Sequence, residues 1–69
     1  MANIAKVIRV IGQSPESFAA AAQVAVSEAS ETVRGISGAH VIEMSAVVEG
    51  DKITMYRTTV DIAFGVERS

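Results

Sequence analysis

Lys52-Ile53-Thr54-Met55-Tyr56-Arg57-Thr58-Thr59-Val60-Asp61-Ile62-Ala63-Phe64-Gly65-Val66-Glu67 closes the sequence and decides how the rest is read. Its even positions Tyr56, Thr58, Val60, Ile62, Phe64 and Val66 form an apolar stripe with a period of two, the mark of one strand face. The odd positions Arg57, Thr59, Asp61, Ala63 and Gly65 are polar or small. A strand this long and two-faced belongs in the middle of a sheet. One face meets a helix, and the other meets something that a single chain does not contain.

Working outward, Ala39 to Val48 predicts a second strand. In it Ile42, Met44, Ala46 and Val48 alternate with Val41, Glu43, Ser45 and Val47. Glu49-Gly50-Asp51 is a short turn, so these two strands form an antiparallel hairpin. Upstream, a helix is predicted from Pro15 to Arg34. Ser14 is placed to cap it, Pro15 stands at its first position, and Glu16 faces the positive end of its dipole. Phe18, Ala22, Ala25, Ala29 and Val33 share one face, with Val26 at its edge. A face of alanines lets a helix approach a sheet closely, with Phe18 as the bulky anchor. Arg34 falls in the last turn, and Gly35-Ile36 suits a left-handed C-terminal cap.

Asn3 to Ile11 fits a first strand, ended by Gly12. It carries Ile4, Ile8 and Val10 on one face and Val7 and Ile11 on the other, while Lys6 and Arg9 lie on opposite faces. The resulting fold is α+β with the order β-α-β-β. A three-stranded antiparallel sheet has the last strand at its centre, and one helix covers one of its faces.

Residues 1–69 read as one domain, near the lower limit of what folds alone. Such a chain buries only about 60% of its unfolded surface. It has no cysteine, 49% hydrophobic residues and only 4% aromatics. A small aliphatic chain without disulfides or a structural zinc is a candidate for stability through oligomerisation; the alternative is a small two-layer monomer. The formal net charge is −2 and there is no basic run, so the phosphate-neutralising patch of a nucleic-acid binder is missing. No apolar stretch approaches the roughly 18 residues of a membrane span. Ile4 to Ile11 is broken by Lys6 and Arg9 and lacks a small-residue cleavage site, so a cytoplasmic location is expected.

One set of residues points further. Lys6-Val7-Ile8, Gly12, Ser14, Pro15, Phe18, Ala29, Thr32-Val33, Tyr56 and Val60-Asp61-Ile62-Ala63-Phe64 together resemble the dodecins over nearly the whole chain. The resemblance implies β-α-β-β subunits that assemble into a hollow homododecamer with tetrahedral symmetry. It also implies a small-molecule ligand, a flavin in the better-studied members, held at subunit interfaces for storage or protection. In such a shell Arg57 and Asp61 can each pair across interfaces with groups of opposite charge, Glu43 being such a group for Arg57.

Two positions depart from the flavin-binding pattern. Gly38, with Ala39 and His40 beside it, stands where those members carry a tryptophan that stacks on the ring system. Arg57 stands where they carry a glutamine that bonds the ring's polar edge. Glycine offers no stacking surface, worth about 0.5–1.5 kcal/mol per aromatic pair, and guanidinium offers no acceptor. The resemblance therefore implies reduced affinity for FMN or riboflavin. Some dodecins lacking the tryptophan are regarded as calcium binders, and this sequence is nearer that branch.

The candidate ligand-binding residues are thus Gly38, His40 and Arg57. His40 has no metal-ligand or base partner in its local spacing and reads first as a strand-start residue lining an interface, beside the ligand pocket that the resemblance implies. Arg57 can grip a phosphate or carboxylate, or pair with an acidic residue of a neighbouring subunit. Glu43 and Glu16 are the candidates for a calcium or magnesium ion. The plainer reading is an ion-pair partner for Glu43 and a helix-dipole partner for Glu16. Glu49 and Asp51 lack EF-hand spacing. No nucleophile–base pair and no phosphate-binding glycine loop is present, which argues against an enzyme built on Asp61, Glu43 and His40. The sequence predicts a non-enzymatic, ligand-binding shell; the alternative is a flavin-independent shell that binds ions or is purely structural.

Overall fold

The computed structural model describes residues 2–68, with side chains described from residue 4 to residue 65. Strand β1 (Ala2–Ser14) leads to helix α1 (Phe18–Ala29), followed by β2 (Ile36–Glu49) and β3 (Lys52–Arg68). The sheet is antiparallel in the order β1-β3-β2, so the last strand lies at its centre as the alternation predicts. Thr58, Val60 and Ile62 are fully buried beneath α1. The even-numbered stripe is therefore the covered face. Val66 and Glu67 lie beyond the described side chains.

The helix packs on β1 and β3 and barely reaches β2. Ala21, Ala25 and Ala29 form its buried line, with Ala22, Val26 and Val33 partly buried around it. Ala21 is absent from the face predicted by sequence, and Gly12 explains why it belongs there. Gly12 does not end β1. It sits within the strand, in register with Thr58, and a Cβ added to it would lie 1.9 Å from the Ala21 carbonyl oxygen. The missing side chain lets the helix backbone rest almost directly on the strand. Phe18 anchors the helix start by an edge-to-face contact with Tyr56, centroids 4.9 Å apart.

Both helix ends differ from the sequence prediction. Strand β1 keeps pairing as far as Ser14, opposite Tyr56, so the chain needs a further turn to reach the helical layer. Ser14 is buried and accepts the Glu16 amide at 3.0 Å, while Ser17 is the true cap, accepting the Ala20 amide at 2.9 Å. Pro15 and Glu16 thus precede the helix. At the other end the helix stops at Ala29. The Glu31 and Thr32 amides turn back to the carbonyls of Glu28 and Ala29 in tighter bonds, and the Thr32 hydroxyl also donates to the Ala29 carbonyl. Serine and threonine side chains that bond the local backbone compete with continued helix. Gly35 is left-handed as predicted (φ 75°), but it serves the connection to β2, its carbonyl accepting the Gly65 amide at 3.2 Å.

The β2–β3 turn has left-handed backbone at both Gly50 (φ 58°) and Asp51 (φ 64°), the combination that suits a two-residue hairpin. Strand β2 contains irregularities that its sequence pattern conceals. At Ile42 an extra residue enters, so that Val41 registers with Val60 and Glu43 with Thr59. A bulge of this kind sets two residues against one and interrupts the alternation.

The chain is extended for its length. Its Cα radius of gyration is 14.4 Å, against roughly 11 Å for a compact domain of this size. Its accessible surface is 4938 Å², against roughly 4100 Å² for a compact monomer of its mass. Among the described residues, five apolar side chains, Ala21, Ala25, Ala29, Val60 and Ile62, make up the buried core. Val41 and Met44, on the helix side of β2, stay exposed because α1 does not reach them. Among the described residues no helix is long and apolar enough to cross a membrane.

Candidate functional site

The sheet face away from α1 is the candidate site. Antiparallel pairing arranges its residues in rows across the three strands, β1 first and β2 last. Val7, Ala63 and Gly38 make one row; Arg9, Asp61 and His40 the next. Ile11, Thr59 and Glu43 follow, and then Gln13, Arg57 and Ser45. His40 and Glu43 share this face only because of the bulge at Ile42. Three residues apart on a regular strand, they would point to opposite faces.

The centre of the face is an ion pair. Arg9 Nε donates to Asp61 Oδ1 at 2.7 Å and Arg9 Nη2 to Oδ2 at 3.1 Å, a two-point contact between register partners. The hydrogen bond from Arg9 holds the Asp61 carboxyl below the usual carboxylate range, with a smaller contribution from His40 in the same direction. The same bond raises the Arg9 guanidinium further, and Glu43 adds to that effect. Arg57 has a different partner: its Nε donates to Gln13 Oε1 at 3.2 Å. Both Asp61 and Arg57, read from sequence as reaching for a neighbouring subunit, thus have partners within the chain. Arg9 carries no signal in the sequence that singles it out. It becomes visible once the β1–β3 register is known.

The structure brings some predicted residues together and separates others. His40, Asp61 and Glu43 occupy adjoining rows. Gly38 and Arg57 do not meet: their β3 rows are six residues apart, or about 20 Å at the rise of a strand. Glu16 is exposed in the turn before α1, away from the rows of Glu43. Among the described residues no three histidine or acidic side chains converge to hold a metal ion. A cation at Glu43 or Glu16 would therefore need oxygen donors other than a carboxylate cluster, such as carbonyls, waters or groups of another subunit. Gly38 is exposed, and a side chain added there would meet nothing within 4 Å. Gly38 itself supplies no stacking ring, and no described residue lies against that position.

The sequence model of the family described as Dodecin matches residues 4–67. A solved structure from Mycobacterium tuberculosis, described as a calcium chelating immunodominant antigen, calcium dodecin, with a novel calcium-binding site, is 39% identical. The match covers 96% of this chain and 94% of that one, with a TM-score of 0.80. The dodecin of Streptomyces coelicolor is 25% identical over 97% of this chain and 96% of its own, with a TM-score of 0.91. A Thermus thermophilus protein shares the fold at a TM-score of 0.93 and 24% identity, over 99% of this chain and all of that one. No curated protein matches the sequence.

Proposed function

The chain belongs to the dodecin family, and from that premise we propose that it forms a non-enzymatic homododecameric shell that holds a small ligand between its subunits. The observation that carries this reading is the uncovered sheet face. Val7 and Ile11 are 59% and 61% exposed there, on either side of the Arg9–Asp61 pair. Apolar side chains interleaved with a self-contained ion pair suit burial against further copies of the same surface. In this reading the shell is cytoplasmic.

The ligand site is composite. Because Gly38 and Arg57 stand about 20 Å apart on one sheet, a ligand that touches both takes them from different subunits. Flavin binding is weak in this proposal, since Gly38 supplies no stacking surface. Fluorescence titration with riboflavin or FMN tests it. Gly38→Trp combined with Arg57→Gln recovers flavin affinity, and the open space at Gly38 leaves room for the ring. Nanomolar quenching by the unmodified protein contradicts the proposal, as does an intact double-mutant shell with no gain.

A second reading is favoured by the 39% identity to a protein described as calcium chelating. Here Glu43 or Glu16 contributes to a calcium or magnesium site completed by carbonyls, waters or a neighbouring subunit. Treatment with EDTA then lowers the melting temperature and added ion restores it by mass action. An unchanged melting curve removes this reading and leaves the shell standing.

A further inference from the structure

Every side chain of the row Gln13–Arg57–Ser45 carries a hydrogen-bond donor and none is a carboxylate, unlike the adjoining row that holds Glu43. We infer that it is a binding site for a tetrahedral oxyanion, a phosphate group above all. This rests on the reading of the open face as the ligand surface and gives that surface a chemical preference. Three observations carry it. The residues come from three strands yet lie in line, Gln13 and Ser45 each in register with Arg57, at a spacing of about 4.8 Å per strand. All three are exposed on the face away from α1. Of the two guanidinium groups on this face, that of Arg9 is closed by Asp61, whereas Arg57 has no ion-pair partner among the described residues.

The hydrogen bond to Gln13 gives Arg57 its directionality. Nε is committed to Gln13 Oε1 at 3.2 Å, which fixes the plane of the guanidinium and leaves both terminal nitrogens for a ligand. Two terminal nitrogens match two oxygens of an anion in the forked geometry that arginine favours. The amide nitrogen of Gln13 and the hydroxyl of Ser45, in register with Arg57 on the two neighbouring strands, are further donors of the same row. A phosphate has a third and a fourth oxygen to use them, whereas a carboxylate has none. The nearest carboxylate by register is Glu43, one row away, and its field lowers the affinity of the row without closing it.

The row belongs to one chain, so its three residues stay in register whatever the state of assembly. The test is calorimetric titration of inorganic phosphate into the full chain, at ionic strength held constant with chloride and with particle mass measured in parallel. Saturable phosphate binding is expected. Arg57→Gln weakens it by about tenfold or more, the scale of a lost charge-assisted bond. Gln13→Ala weakens it by a few fold, and Glu43→Gln tightens it. Equal affinity in the wild type and Arg57→Gln overturns the site, as does a response that chloride reproduces. Acetate binding as tightly as phosphate overturns the tetrahedral preference. If Arg57→Gln does not fold, the opposed effects of Gln13→Ala and Glu43→Gln still decide. A shell that assembles without binding phosphate sinks this inference alone; phosphate binding by a chain that does not assemble sinks the shell alone.

Discussion

Asp61 shows how a single contact reaches into behaviour in solution. Its carboxyl is held below the ordinary range chiefly by the two-point hydrogen bond from Arg9. A group whose folded pKa is depressed contributes stability that is present in full above its unfolded value, near 3.9, and lost as pH falls through the folded value. Both partners are solvent-accessible in the single chain, so the effect is modest. Asp61→Asn is expected to leave the fold intact and to flatten the loss of thermal stability below about pH 4. Circular dichroism melts across that range check it, and an unchanged acid limb contradicts the assignment. Asp61 was legible in the sequence as a polar residue on the open face of β3. Its partner was not, because which β1 residue faces it depends on a register that only the full pairing supplies.

At the scale of elements, the contact between α1 and the sheet rests on what Gly12 lacks. A methyl group there would press on the backbone at Ala21 and Ala25, neither of which is the end of a flexible side chain. Gly12→Ala therefore lifts the helix from β1 and costs about 1–3 kcal/mol, the range for overpacking in a core. Gly38→Ala, with no neighbour within reach, serves as the control. Chemical denaturation of the two variants checks the contrast, and equal stability would show that the helix does not need the close approach. Element order and the covered face of β3 were readable because the period-two stripe is long and unbroken. The helix ends were not, because Ser14 and Ser17 are both competent caps. The choice fell to the length over which β1 pairs with β3. The bulge at Ile42 was hidden for a related reason: Val41 and Ile42 are both apolar, so hydrophobicity alone does not mark which residue is extra.

The whole molecule is a thin, extended subunit of 55 × 19 × 13 Å whose sheet is covered on one side only. Among the described residues its buried core holds three alanines, one valine and one isoleucine. So little buried apolar surface leaves a chain of this size close to the limit of independent stability. The exposed apolar side chains of both sheet faces, Val7 and Ile11 on one and Val41 and Met44 on the other, are the surface that further copies would remove from water. The odd positions of β3 mark the open face in the sequence, and the register adds its rows. Particle mass in solution, measured by light scattering at low micromolar concentration, tests the central claim most directly. The account predicts a single species close to twelve subunits; a stable, folded monomer or dimer at that concentration would contradict it.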